Sequence, residues 1–274
     1  MKPKLIFKFC AAMLCASACF SASAQKLPNK QEKSVWAPTN VKIDGKANEW
    51  SAGYQAKNMA IGASYVIAND DENLYLSIHV TDRAGIFYKA MSGGITFIVK
   101  TSAEKVSTRY PVFSYKELPS FDAPQRGQIF SADTEDPIVV KNNTLFASKA
   151  KEIGVRGIKG VDTIISIFND QGIKAAGRFD DQLGYRYELC IPLKYLGLSQ
   201  NDAGFKYQIL LNGGPDKYTV SAASQLRISG IKGPDGTPAP QAEVDAANAV
   251  MAGLAQARYA TTDVAGEYTM AKRP

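Results

Sequence analysis

An antiparallel β-sandwich with one late C-terminal helix is the fold class this sequence predicts, on three observations. From Leu74 the apolar residues alternate: Leu74, Leu76, Ile78 and Val80 share one face, Tyr75, Ser77, His79 and Thr81 the other. That is the period of a half-buried strand. Similar short segments, β-branched or aromatic, recur between Gly, Asn, Asp and Pro, as in a sandwich or barrel. Helical spacing is nearly missing before residue 241.

The chain opens on a segment that carries no fold information. Lys2, Lys4 and Lys8 precede an apolar stretch from Phe9 to Phe20, and Ala22-Ser23-Ala24 has the small-x-small form of a cleavage site. Residues 1–24 are therefore expected to be a signal peptide, which places the protein in the periplasm or outside the cell. The stretch is shorter than the ~20 apolar residues of a membrane span. Cys19 after Ala16-Ser17-Ala18 leaves a lipoprotein as the alternative, although Ala16 stands where a bacterial lipobox usually has Leu.

Cleavage at Ala24 would remove three of the four cysteines, leaving Cys190 without an internal disulfide partner. The three lysines would go too, so the formal charge of +6 would fall to +3. Nothing in that balance calls for nucleic acid. The remaining 250 residues suit one large all-β domain, which buries roughly 70–75% of its surface on folding without a covalent staple.

Residues 25–38, rich in Lys, Gln and Asn, are expected to be a flexible lead-in, and 39–274 a single sandwich domain. Strands are predicted at 40–44, 62–68, 73–82, 94–100, 107–115, 137–140, 161–169, 184–191 and 205–212. Between them, 116–136 is long and irregular, a length often associated with function or disorder. After the turn-rich 233–238, Val244, Ala247, Met251 and Leu254 recur at helical spacing, predicting a helix near 241–258 packed on the sandwich. Arg186, Glu188 and Cys190 share one strand face, and Lys206 and Gln208 another. With Ser77, His79 and Thr96 they would make a polar row across one sheet, either a ligand groove or a solvated outer face.

Several of these segments carry a family resemblance. Ile43-Asp44-Gly45 with Glu49-Trp50, then Asn69 to Tyr75, then Tyr187 to Leu193 with Leu196-Gly197-Leu198, resemble the family 9 carbohydrate-binding modules. The similarity extends to the wider sandwich superfamily of DOMON and haem-binding cytochrome domains, and spans roughly 40–212. It implies a secreted, non-catalytic carbohydrate-binding or accessory protein of the cell envelope, often with calcium. In sugar-binding relatives a tryptophan pair clamps the sugar ring. Here Trp36 and Trp50 are the only tryptophans, one in the lead-in and one within the Glu-Trp motif. The resemblance therefore leaves Tyr54, Tyr65, Tyr88 and Tyr115 as stacking candidates, with Arg83 for sugar hydroxyls at a sandwich edge.

Calcium needs converging oxygens, for which Asp70, Asp71, Glu72 and Asp82 are the candidates; a hairpin turn accounts for the first three without an ion. With His79 the only histidine, a zinc site using two or three is ruled out. No Gly-x-Ser-x-Gly elbow or phosphate-binding loop is present. Two other classes stay open: a haem carrier using His79 with Met59 or Met91, and an assembly protein of the envelope that binds a protein partner instead of a saccharide.

Overall fold

Eleven strands in two antiparallel sheets make up most of the structure, a computed structural model that describes residues 26–50, 53–82, 85–113, 119–122, 136–199, 201–214 and 236–274. The segment expected to be a signal peptide and most of 116–136 lie outside those residues. One sheet has five strands in the order β1-β2-β3-β9-β8: Ala56–Asn58, Ala63–Asn69, Asn73–Val80, Tyr185–Pro192 and Lys174–Phe179. The other has six in the order β11-β10-β4-β5-β6-β7: Thr262–Thr269, Gly204–Leu211, Ile95–Lys100, Lys105–Tyr110, Glu152–Arg156 and Ile164–Ser166.

The alternation read from Leu74 sets the layers. Leu74, Leu76, Ile78 and Val80 on β3 pack in one core with Tyr185, Tyr187, Leu189 and Ile191 on β9. From the facing sheet come Phe97, Val99, Ile209 and Leu211. A one-residue slip would turn each of these sets toward solvent, so burial fixes the register. Tyr65 of β2 reaches across the interior, its hydroxyl 2.9 Å from that of Tyr207 on β10.

Among the described residues two helices longer than ten residues lie outside the sheets. The late helix, Gln241–Tyr259, is present, with Val250 and Leu254 exposed. An earlier helix, Pro137–Lys149, stands where the Ile-Val-Val run predicted a strand at 137–140. Asp136 caps it, accepting from the Ile138 N–H at 2.8 Å, and Pro137 fills the first turn, where its missing N–H costs nothing. These are the earlier helix α1 and the late helix α2. Val139, Asn142 and Phe146 of α1 are buried, and Phe146 sits amid the rings of Tyr110, Phe113, Phe121, Phe179 and Tyr185.

The lead-in is docked along much of its described length. Gln31, 5% exposed, takes the place of a neighbouring strand: its amide donates to Ile67 O at 2.8 Å and accepts from Ile67 N–H at 2.7 Å. The strand predicted at 40–44 is a turn-rich passage that crosses the outer face of the five-stranded sheet. Strands β1, β6, β8 and β11 were not anticipated. Gly, Ala, Lys and Glu dilute the few β-branched or aromatic residues in them, such as Ile153, Val155, Val264 and Tyr268, and pairing with neighbours makes them strands.

Candidate functional site

The two sheets treat their outer faces differently. On the five-stranded sheet the polar row is largely covered. Trp50, Val66, Ala68, Tyr75, Cys190 and Ala37 form a second apolar cluster there, with Val35, Val41 and Ile43 packed on it. Glu188, fully buried, anchors the cover. Its carboxylate accepts from Trp50 Nε1–H at 2.8 Å, Gly45 N–H at 2.8 Å and Asp44 N–H at 3.2 Å. Burial raises its pKa, and these donors offset part of the rise. Gly45 has φ +79°, and a Cβ there would stand 2.9 Å from Gly177 C, so only glycine fits this approach. The Asp-Gly and Glu-Trp segments thus form a clasp on the sheet.

One end of that face stays partly open. His79 Nε2 lies 2.7 Å from Asp180 Oδ2, and Arg186 Nε lies 3.4 Å from the same oxygen. Tyr54 stacks on His79 with ring centroids 6.0 Å apart, and its hydroxyl accepts from Arg186 at 3.4 Å. The pair sits over Gly184, where a Cβ would come within 2.5 Å of His79 Nε2. Burial pushes the Asp180 pKa up, but His79 and the N–H groups of Gly184 and Gln182 outweigh it and hold the carboxyl below its ordinary value. Burial raises the Tyr54 phenol, with Arg186 opposing. Ser77 on the same face is fully buried, so its hydroxyl is closed off from solvent.

The six-stranded sheet carries an open groove of about 570 Å³, within the size range of small-ligand sites. It crosses β4, β5 and β6, lined by Thr96, Lys105, Ser107, Arg109, Arg156 and Asn212, with Ile98 and Ile164 as apolar walls. The register builds it. Arg109 faces Thr96 on one side and Gly154 on the other, while Ser107 faces Ile98 and Arg156. Gly154 has no side chain, which opens a trough beside Arg109. Neither Arg109 nor Arg156 has an acidic partner within 4.0 Å among the described residues. Burial, then the neighbouring Arg156, lowers the Arg109 pKa. Asn212 Nδ2 donates to Thr96 Oγ1 at 2.7 Å, leaving that hydroxyl free to donate. A second hollow of about 470 Å³ lies beside Lys206, but that lysine is already 3.6 Å from Glu267.

The residues predicted for a site are dispersed. Tyr54 joins the His79 cluster. Tyr65 is fully buried between the sheets, not at a sandwich edge, and burial drives its phenol pKa well up. Tyr88 lies in the π-helical turn Gly85–Ala90, with its side chain outside the description. Arg83 and Tyr115 fall outside the described residues. Trp50 is 8% exposed and bonded to Glu188, and Trp36 lies under Arg273. The two therefore form no clamp of facing rings.

Three of the four acidic candidates, Asp70, Asp71 and Asp82, are engaged by groups of the protein itself. Asp70 Oδ1 accepts from Glu72 N–H at 2.8 Å and Asn73 N–H at 2.7 Å, and Oδ2 accepts from the Tyr75 hydroxyl at 2.7 Å. Asp71 pairs with Arg273. Asp82 Oδ2 accepts from Gly85 N–H at 2.6 Å. Among the described residues no three His, Cys, Asp or Glu converge as a metal would need. For haem, His79 faces outward while Met91 is in the core, and Met59 is 78% exposed. The predicted polar row across one sheet divides between both: Ser77, His79, Arg186 and Glu188 belong to one, Thr96, Lys206 and Gln208 to the other.

The groove residues Arg109, Arg156 and Gly154 were not singled out from sequence. Arg109 alternates outward between Thr108 and Tyr110, but nothing along the chain places residue 156 diagonally across from it. No known protein family matches the chain, and no curated protein matches it. No described helix is long and apolar enough to cross a membrane.

Proposed function

We propose that this protein is a non-catalytic binding protein of the envelope or exterior that takes a saccharide in the groove of the six-stranded sheet. The observation that carries this reading is the lining. Two guanidinium groups, an ammonium, two strand hydroxyls and a carboxamide face a trough left open by Gly154. Such groups hold hydroxyl-rich ligands by hydrogen bonds, between the apolar walls of Ile98 and Ile164. The resemblance to family 9 carbohydrate-binding modules and the N-terminal signal pattern point the same way. The groove lies on a sheet face and does without facing tryptophans, a departure from the ligand geometry that the resemblance implies.

A Gly154→Val variant tests the site. A Cβ at 154 would meet Val112 Cγ2 at 3.4 Å and Arg109 Cβ at 3.5 Å, contacts that leave room for it. A branched residue also suits a strand. The expected outcome is an unchanged melting temperature and loss of binding on an array of neutral and acidic oligosaccharides. Silence of the wild-type protein across that array, or full binding by the variant, counts against the reading.

A further inference from the structure

Two guanidinium groups side by side, without an acidic partner among the described residues, narrow what this groove would hold. Arg109 is opposite Gly154, and Arg156 is opposite Ser107, two pairs further along the same two strands. The two arginines are therefore diagonal neighbours on one face, with backbone positions about 7–8 Å apart. Lys105 extends the cationic strip along β5. Two acids on this face are occupied: Asp263 accepts from Gln208 at 2.8 Å, and Glu267 pairs with Lys206. Glu152, the other diagonal neighbour of Arg109 on β6, makes no ion pair with either arginine among the described residues. Among the described residues no aromatic ring lines the groove, so charge and hydrogen bonds are the contacts its lining offers.

Resting on the saccharide reading of the groove, we infer that its occupant carries an oxyanion, a uronate carboxylate or a sulfate ester, held between Arg109 and Arg156. A guanidinium presents its N–H donors in a fixed fork that matches such groups bidentately. The anion relieves the repulsion between the two cations, and Ser107 and Thr96 take neighbouring hydroxyls. The trough at Gly154 admits the ring itself.

Calorimetric titration at low salt with oligogalacturonate, a sulfated oligosaccharide, a neutral oligosaccharide of equal length and single-stranded DNA tests this. The variants are R109Q, R156Q and, as a charge-matched control, K57Q on the exposed side of β1 in the other sheet. Arg109 is partly desolvated by the groove wall, but both arginines keep exposed surface and make no ion pair among the described residues, so each variant should melt close to the wild type. Expected is binding of at least one acidic saccharide about tenfold or more tighter than the neutral one, weakened about tenfold by R109Q or R156Q. K57Q should stay within about twofold, and added salt should weaken the acidic arm. The uronate and sulfate arms tell which oxyanion is read.

Equal affinity for the neutral saccharide with no effect of R109Q overturns the oxyanion inference; loss of that binding in Gly154→Val then leaves the saccharide site standing. No saccharide bound overturns both. DNA bound as tightly as the acidic saccharide, with the same arginine dependence, overturns the saccharide assignment.

Discussion

Glu188 shows how one carboxylate organises a surface. It is fully buried, and its three N–H donors come from a segment more than 130 residues earlier in the chain. Truncation by Glu188→Ala leaves those donors without an acceptor and should cost about 3 kcal/mol or more, measured by urea unfolding. Glu188→Gln keeps a carbonyl oxygen in place and should cost less. Asp180 contributes a pH dependence of its own. Its folded-state pKa is depressed, so the unfolded chain binds the proton more readily below about pH 4. Its contribution is therefore complete above that range and is lost as pH falls through the folded value. Asp180→Asn should lose about 1 kcal/mol at pH 7, with the two stability curves converging in acid. A constant gap down to pH 2 would contradict this.

At the scale of elements, α1 shows local signals overriding propensity. Ile138-Val139-Val140 is β-branched, yet the Asp136 cap and Pro137 start a helix. Burial of Phe146 among five aromatic rings then holds it on the sandwich. Phe146→Ala should cost about 3–5 kcal/mol by the cavity it leaves, seen as a lower urea midpoint with a similar slope. The turn before β3 works by related chemistry, since both Asp70 oxygens are committed to backbone N–H groups and to Tyr75. That the same Asn-Asp-Asp-Glu-Asn run read as a calcium candidate reflects a limit of composition. Acids near in sequence converge on an ion only if the turn aims them together.

Over the whole molecule, chain ends and cover are tied through a few buried groups. Asn69, fully buried, exchanges hydrogen bonds with Ala271 at 3.1 and 2.8 Å. Its Oδ1 also lies 3.1 Å from the Tyr268 hydroxyl, which contacts Val35. N-terminal passage, first sheet and C-terminal strand therefore meet at one point. Cys190 lies beneath this cover, with burial pushing its thiol up to about 12. In the native protein it should resist thiol reagents at pH 8, because the thiolate is the reactive form. Trp50→Ala, which opens the clasp above it, should speed labelling markedly while far-ultraviolet circular dichroism stays β-rich. Equal labelling of both proteins would show that the clasp does not shield the thiol.

The amino-acid order by itself determined the sandwich, because period-two burial on β3, β9 and β10 leaves each strand one face to hide, and the late helix, whose spacing is equally local. It also marked Asp44-Gly45 and Glu49-Trp50 as unusual, without saying that they grip Glu188. Which outer face is covered and which stays open was settled only by tertiary packing. A residue's distance along the chain says nothing about its diagonal partner in a sheet. Arg109 and Arg156 become neighbours, with a trough at Gly154, only once β5 and β6 pair in one register.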